Sequence, residues 1–160
     1  MVATPSNNPG ALIIDANVAI AICSRETGRD AKASTELSSY ATQGYEWFAP
    51  GVIVMETLYV LCQKHQAGLL TAIEYDDAVN EFDILMSSIS PPPGGDGSLI
   101  QRAHAISRGY GCSRSADSIY IALAETLSQV RPTTLITFDT GLPNHVANNS
   151  PGVIVHLLTI

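Results

Sequence analysis

The chain has 160 residues, 46% of them hydrophobic and 14% charged, with a formal net charge of −7. This composition predicts a compact globular domain with a sizeable core and excludes an intrinsically disordered chain. The acidic balance argues against non-specific nucleic-acid binding through a broadly basic surface.

The chain shows no sign of a membrane or secretory segment. No apolar run reaches the roughly 18 residues of a membrane span, and the N-terminus lacks the pattern of a signal peptide. The three cysteines, Cys23, Cys62 and Cys112, have no CxxC spacing and are expected in the core. We therefore expect a cytoplasmic protein without a membrane partner.

Strand-like and helix-like segments alternate along the chain. Short apolar runs predict strands at 11–15, 45–49, 87–90, 133–138 and 153–158. Periodic segments predict helices at 16–23, 29–43, 50–66, 71–86, 99–111 and 115–129, with a loop at 91–98. The pattern predicts an α/β fold: a central, mostly parallel five-stranded sheet flanked by helices on both faces. We expect a single domain over residues 1–160, of which residues 1–10 form a flexible N-terminal segment.

Four acidic residues lie in otherwise apolar segments. Asp15 ends the first predicted strand and Asp139 follows the fourth, while Glu56 interrupts VIVMETLYVLC and Asp117 lies in SADSIYIALAE. Burial of an isolated carboxylate is costly unless the group is paired, protonated or metal-bound. Because sites in open parallel sheets form beyond the carboxyl ends of the strands, Asp15 and Asp139 are expected to meet there.

The two helical acids are expected to point toward the same crevice. Their neighbours on the same helical face are Tyr120, Ile121 and Ala124 for Asp117, and Val52, Tyr59 and Val60 for Glu56. Converging carboxylates raise one another's pKa values. A hard cation with oxygen ligands, such as Mg²⁺, removes that conflict. The sequence therefore predicts a shared divalent-metal site.

Each acid also has a purely structural interpretation. Asp15 and Asp139 suit helix N-caps and turns, and Asp117 suits the positive end of a helix dipole. A buried ion pair is the main alternative for Glu56, although Lys64, the nearest basic residue, is two turns away. These interpretations stay open for each residue singly, whereas the four residues together favour a common site.

Four motifs match a known family in order and spacing. They are Asp15-Ala16-Asn17, Glu56 in VMETLYVL, Asp117 in ADSIYIALAE and Thr137-Phe138-Asp139. In these motifs the chain resembles the PIN-domain ribonucleases, and most of all the VapC-type toxin subunits of type II toxin–antitoxin systems. One departure is the third motif, which reads Ala-Asp-Ser where Asp-Ala is more usual.

The resemblance implies hydrolysis of RNA that depends on one or two Mg²⁺ or Mn²⁺ ions. A metal-activated water would attack the phosphodiester in line with the departing oxygen. The residues implied as metal ligands and catalytic residues are Asp15, Glu56, Asp117 and Asp139. Asn17 and Thr137 are expected to orient a carboxylate or a water by hydrogen bonding. The family resemblance also implies a homodimer and an antitoxin protein as partner.

Basic residues near the motifs are candidates for binding the RNA substrate. Arg25, Arg29 and Lys32 fall at i, i+4 and i+7, which would place them on one helical face if Gly28 does not break the helix. Arg114 shortly precedes the third motif. Ordinary surface charge is the alternative for each residue.

Other functions remain open beside the endoribonuclease toxin. A phosphatase that forms an aspartyl-phosphate is disfavoured, because no second aspartate follows Asp15 two residues on and neither Lys32 nor Lys64 follows a later strand. A PIN-domain nuclease of RNA processing and a non-catalytic PIN-like module that binds RNA or protein are further alternatives. The sequence does not distinguish the RNA target or the number of metal ions.

Overall fold

The computed structural model describes residues 8–112 and 116–160, so residues 1–7 and the candidate residue Arg114 lie outside the described part. Within it, strands and helices alternate. The strands are β1 (Ala11–Ile14), β2 (Glu46–Phe48), β3 (Ile89–Ser90), β4 (Thr133–Thr137) and β5 (Ile154–Leu157). The helices are α1 (Ala16–Cys23), α2 (Arg29–Thr42), α3 (Val52–Gln66), α4 (Ala72–Met86), α5 (Ile100–Gly109), α6 (Asp117–Ser128) and α7 (Leu142–Asn149), with a 3₁₀ helix (Asp96–Leu99) before α5.

The five strands form one sheet in the order β3-β2-β1-β4-β5, and every pairing in it is parallel. The predicted α/β fold with a five-stranded, mostly parallel sheet is therefore confirmed. All four residues of β1 are fully buried, as expected for the central strand of a covered parallel sheet. Strands β2 and β3 are added on one side of β1, and β4 and β5 on the other. The chain connections therefore diverge between β1 and β4, where such sheets carry their sites.

Two helices cover the centre of the sheet. Helix α6 contacts both β1 and β4, and α1 contacts β4 as well as α2, α3 and α4. Their apolar sequences explain this position, because six of the eight residues of α1 and six of the twelve residues of α6 are buried. None of the described helices combines the length and the apolar character that crossing a membrane requires.

Most predicted segments differ from the observed ones only at their ends, but the region after β4 was mispredicted. Helix α7 was not expected, because it is short and contains Pro143 and two asparagines near its end. The proline lies in the first turn, where its missing N–H costs nothing. The predicted loop 91–98 also ends earlier than expected, since the 3₁₀ helix begins at Asp96.

The prediction that all three cysteines lie in the core is correct for one of them. Cys23 is buried in α1, whereas Cys62 and Cys112 are exposed, and all three are free thiols. Cys62 lies on the outer side of α3 and Cys112 in the turn after α5.

A contact between distant segments fixes the start of α3. Both carboxylate oxygens of Asp96 accept the backbone N–H of Gly51, at 3.0 and 2.9 Å. Helix N-termini leave such N–H groups without partners inside the helix, and a carboxylate there also interacts favourably with the helix dipole. A Cβ atom at position 51 would lie 2.7 Å from Asp96 Oδ2, so a larger residue there would displace the Asp96 carboxylate.

We expect Asp96→Ala to lower the free energy of unfolding by about 1–2 kcal/mol, because it removes the cap of α3. Urea denaturation measures this change. Asp76→Ala is the matched control, since Asp76 is exposed on α4. Equal stabilities of the two variants would show that the contact with Gly51 does not stabilise the fold.

Candidate functional site

The candidate site lies at the carboxyl ends of β1 and β4. Asp15 directly follows β1, and its backbone N–H still donates to Ile136 O in β4 at 3.2 Å. The side chain is 8% exposed, which is unusual for an aspartate. The strand pairing therefore forces a carboxylate into the junction between the two strands and α1.

Two hydrogen bonds hold the Asp15 carboxylate. Thr137 Oγ1 donates to Asp15 Oδ2 at 2.7 Å, and Asn17 Nδ2 donates to the same oxygen at 3.1 Å. Asp15 occupies the N-cap position of α1, yet its side chain makes no capping hydrogen bond. Helix capping therefore does not account for this residue.

Asn17 and Thr137 also bind each other and the neighbouring backbone. Asn17 Nδ2 donates to Thr137 Oγ1 at 3.1 Å, and Asn17 Oδ1 accepts the Phe138 N–H at 3.0 Å. Thr137 Oγ1 accepts the Asp139 N–H at 2.9 Å. Both side chains are thus fixed in the orientation in which they contact Asp15. Their role in orienting a ligand stays a prediction.

Burial raises the pKa of Asp15 to about 7, well above its ordinary value. The hydrogen bond from Thr137 opposes this rise, whereas the negative charges of Asp117 and Glu56 add to it. Three of the four predicted acids are therefore close enough to interact electrostatically. A rise of the pKa from neighbouring charges is expected where several carboxylates lie close together.

Glu56 is half-buried and lies on α3, beside the buried residues of that helix. Tyr120 donates its hydroxyl hydrogen to Glu56 Oε1 at 2.9 Å. Burial raises the pKa of Glu56, the hydrogen bond from Tyr120 lowers it, and the charge of Asp117 raises it. The alternative of a buried ion pair is not supported within the described residues, because Lys64 binds Glu26 at 2.8 Å.

The predicted helical face of Glu56 is wrong in detail. Tyr59, expected on the inward face, is 63% exposed. The buried residues of α3 are Ile53, Thr57 and Leu61. Glu56 lies beside this stripe, which explains why it reaches the site from its margin while remaining partly exposed.

Asp117 is the first residue of α6 and lies on the predicted face. Its neighbours Tyr120, Ile121 and Ala124 are all buried, which confirms the predicted inward stripe. His145 in α7 places its Nδ1 3.3 Å from Asp117 Oδ2, and its ring stacks on Tyr110 with centroids 4.2 Å apart. The Asp117 side chain is 13% exposed.

Sequence reasoning missed His145 and the contact of Tyr120 with Glu56. The four histidines show no ligand spacing, and His145 was not associated with the site because α7 was not predicted. Recognition of a helix directly after the Thr137-Phe138-Asp139 motif would have placed His145 near the crevice. The pairing of Tyr120 with Glu56 had no signal in the sequence, since 64 positions separate the two residues.

Asp139 lies at the margin of the group. Its Oδ1 accepts the Gly141 N–H at 2.8 Å, the contact expected of an aspartate that shapes a turn. Asp139 is linked to Asp15 only indirectly, through Thr137 Oγ1. The turn contact therefore accounts for one oxygen of the Asp139 carboxylate, and the role of Asp139 as a metal ligand stays a prediction.

The expectation of three cations on one helical face is wrong. Helix α1 ends at Cys23, and the turn that follows contains Arg25 at φ 52° and Gly28 at φ 79°, so α2 begins only at Arg29. Arg25 is turned toward α4, where it binds Glu81 at 2.8 Å. The break at Gly28 thus separates residues that a continuous helix would have aligned.

The three described cations differ in their relation to the site. Lys32 binds Glu36 at 2.9 Å on its own helix. Arg29 binds Glu26 at 3.4 Å, and its guanidinium carbon lies 5.0 Å from the centre of the Phe138 ring. Because Phe138 belongs to the motif that ends β4, Arg29 is the described cation with a direct contact to that motif.

The acids fit a divalent cation in their chemistry. They are oxygen donors and are partly or fully removed from water, and burial together with the charges of Asp117 and Glu56 raises the pKa of Asp15. Within residues 8–112 and 116–160, no three His, Cys, Asp or Glu side chains are yet close enough together to hold a metal ion. Mutual repulsion between ionised carboxylates disfavours their closer approach, and a cation among them would remove that repulsion.

Comparison with known proteins identifies the family of the chain and a solved structure of the same fold. The family described as PIN domain matches residues 12–147, and the chain belongs to this family. PIN domains are nucleases.

The fold is shared with a solved structure, the crystal structure of VapBC2 from Rickettsia felis bound to a DNA fragment from their promoter. The match has a TM-score of 0.62 and 11% sequence identity, and it covers 92% of this chain and 98% of that chain. The TM-score and the coverage establish a common fold, and at 11% identity the likeness extends to the fold alone. No curated protein sequence matches the chain.

We expect Asp15→Asn to stabilise the protein in metal-free buffer above pH 7 by up to about 4 kcal/mol. The folded wild type keeps its Asp15 proton up to a pKa of about 7, whereas the unfolded chain loses it near the ordinary value of 3.8. The folded state thus binds more protons between these values, and its stability falls as the pH rises through that window. Asparagine at position 15 does not titrate, so the variant does not lose stability over this pH range.

Urea unfolding between pH 4 and 8 measures the effect. The stabilisation should vanish toward pH 4, and Asp76→Asn, at an exposed position, should show no such dependence. A gain that is independent of pH would contradict the assignment to the Asp15 carboxyl.

Proposed function

We propose that the protein is a Mg²⁺- or Mn²⁺-dependent endoribonuclease that hydrolyses RNA phosphodiester bonds, and that it is the toxin of a toxin–antitoxin pair. The observation that carries this proposal is the buried Asp15 carboxyl, whose pKa is raised to about 7 beside Asp117 and Glu56. A protein gains nothing in stability from such a group. Its position at the junction of β1 and β4, in a family of nucleases, supports a site built for a cation and a phosphate.

Asp15, Glu56 and Asp117 are the proposed ligands, with Asp139 as the fourth. Bound there, one or two divalent ions would neutralise the charge of the acids and of the phosphate and supply an activated water for hydrolysis. The ions would also take the place of the proton on Asp15, so that this carboxyl is ionised in the loaded enzyme.

The surrounding residues orient the ligands. Asn17 and Thr137 both bind Asp15 Oδ2, which fixes the rotation of the carboxylate. The Thr137 hydroxyl donates to Asp15 and accepts from the Asp139 N–H. The hydroxyl hydrogen of Thr137 is therefore not available to a substrate. The side chain instead keeps Asp15 and Asp139 in fixed positions relative to each other. His145 restrains Asp117 in the same manner.

Arg29 is the proposed contact for an RNA phosphate. Its side chain is 43% exposed, and its guanidinium lies over Phe138, next to Asp139. Its bond to Glu26 is long at 3.4 Å, and Glu26 also binds Lys64 at 2.8 Å. Arg29 is thus more readily available to a phosphate than Arg25 or Lys32, which stay proposed contacts together with Arg114.

We also propose an antitoxin protein as partner, a homodimer, and a cytoplasmic location. The solved structure that shares the fold is a VapBC2 assembly, which supports a partner protein for this chain. A net charge of −7 suits a basic partner. Exposed apolar side chains are available for protein contacts on and around α3 and α4: Met55, Tyr59, Leu69, Ile73 and Ile84.

We expect the purified protein to cleave structured RNA with Mg²⁺ or Mn²⁺ and not with EDTA, leaving 5′-phosphate ends. Asp117→Asn should lower the rate by about 100-fold or more, because it removes a charged ligand next to the reacting phosphate. Asp83→Asn, at an exposed position of α4, is the matched control and should cleave like the wild type. Gel analysis of end-labelled RNA measures the cleavage.

The outcomes separate the alternatives. Cleavage that survives Asp117→Asn would come from a contaminating nuclease and would contradict the proposal. Absence of cleavage with retained metal binding would favour a non-catalytic PIN-like module that binds RNA or protein.

Added Mg²⁺ or Mn²⁺ should also raise the melting temperature, because a ligand that binds only the folded state stabilises it. The gain is about 2.7 kcal/mol at a concentration 100 times the dissociation constant. Differential scanning calorimetry measures the shift, which Asp117→Asn should reduce and Asp83→Asn should leave intact. A melting curve that does not respond to millimolar metal would contradict a shared cation site.

A further inference from the structure

Tyr120 occupies an unusual position for a polar side chain. It lies one turn after Asp117 on the same face of α6, and it is 1% exposed. Its hydroxyl donates to Glu56 Oε1 at 2.9 Å. A single buried side chain therefore joins the helix that carries Asp117 to the helix that carries Glu56.

The hydroxyl of Tyr120 is placed between the first turn of α1 and Glu56 of α3. A phenol buried without a partner is unfavourable, whereas an apolar side chain of similar size would fill the same space without that cost. Among the described residues, the side chain that satisfies the Tyr120 hydroxyl is Glu56. The charges of Asp15 and Glu56 both act on this phenol, and so does the backbone N–H of Ala16, which places the hydroxyl between the acids of β1 and α3.

We propose that Tyr120 is a positioning residue for Glu56. Its hydroxyl holds Glu56 Oε1, so that the carboxylate is already oriented for the cation that it would share with Asp15 and Asp117. This inference rests on the proposed function. Tyr120 itself contacts neither the cation nor the RNA in this scheme.

The physical reason is the freedom of a glutamate side chain. Glu56 is half-buried at the edge of α3, and an unrestrained glutamate there would sample several rotamers, whose restriction costs free energy when a cation binds. The hydrogen bond from Tyr120 removes part of that freedom beforehand. Because Tyr120 and Asp117 lie one turn apart on α6, this helix fixes two of the three acids relative to each other.

Tyr120→Phe tests the proposal, because it removes the hydroxyl and keeps the ring. We expect Mn²⁺, measured by isothermal titration calorimetry on the full chain, to bind about tenfold more weakly, as is usual when a partner of a metal ligand is lost. Tyr40→Phe is the matched control. Tyr40 lies on α2, away from the acids, and its hydroxyl is hydrogen-bonded to His156 at the same distance of 2.9 Å. The substitution therefore removes a comparable hydroxyl outside the site. Its affinity for Mn²⁺ should equal that of the wild type.

A double-mutant cycle identifies the route of the effect. Glu56→Gln should itself weaken binding, and adding Tyr120→Phe to it should cause no further loss, since the hydroxyl acts through the Glu56 carboxylate. An undiminished tenfold loss in the Glu56→Gln background would overturn the assignment to Glu56. In RNA cleavage, Tyr120→Phe should lower kcat at limiting Mn²⁺, leave KM for RNA unchanged, and recover at saturating Mn²⁺.

Fluorine NMR covers the case in which Tyr120→Phe does not fold, because it leaves the Tyr120 hydroxyl in place. With 3-fluorotyrosine at all six tyrosines, the ¹⁹F resonance that moves in Glu56→Gln should also move when Mg²⁺ is added. A resonance that responds to Glu56→Gln but not to Mg²⁺ would overturn the proposal.

Binding of Mn²⁺ to the wild type and to Tyr120→Phe distinguishes failure of the cation site from failure of the Tyr120 role. If the wild type does not bind Mn²⁺ at millimolar concentration, the proposed function falls and the role of Tyr120 falls with it. If the wild type binds Mn²⁺ and Tyr120→Phe binds it equally well, the cation site stands and the positioning role alone is overturned.

Discussion

The hydrogen bond from Thr137 to Asp15 is the contact on which the arrangement of the site depends. It joins the residue that ends β4 to the residue that follows β1, at the point where the connections of the sheet diverge. It opposes the cost of burying Asp15 without removing it, since the pKa of that carboxyl is still raised to about 7. The fold thus tolerates a charge conflict at its centre, as functional sites commonly require.

The elements of the fold could be predicted from the sequence because the local signals were strong. Apolar runs such as ALII and TTLIT become the two central strands, and the Thr71 capping box starts α4 as its sequence indicates. Helix α7 was missed because its sequence is short and polar, and its apolar side chains Leu142 and Val146 are buried through tertiary packing. The break at Gly28 agrees with the separate helices predicted at 16–23 and 29–43, and it excludes the continuous helix that would align Arg25, Arg29 and Lys32.

The acidic residues of the candidate site were proposed from the sequence, whereas their contacts were not. Asp15, Glu56 and Asp117 were found by their conflict with apolar surroundings, and the structure places them near one another. The partners of these acids could not be read from the sequence, since Tyr120 and His145 reach them through packing between helices. Asp139 was expected after β4 and lies there, but the sequence did not reveal that one of its oxygens accepts the Gly141 N–H in a turn.

The separation of Asp15 and Thr137 by 122 positions has a consequence for the synthesis of the chain. Parallel strands β1 and β4 cannot pair until all of the intervening sequence and β4 itself have been made, and such distant pairings form slowly. A chain emerging from the ribosome therefore contains Asp15, Asn17 and Glu56 long before it contains a structured acidic centre. Completion of the acidic centre therefore has to follow the synthesis of β4, so chains that end before β4 lack the assembled site.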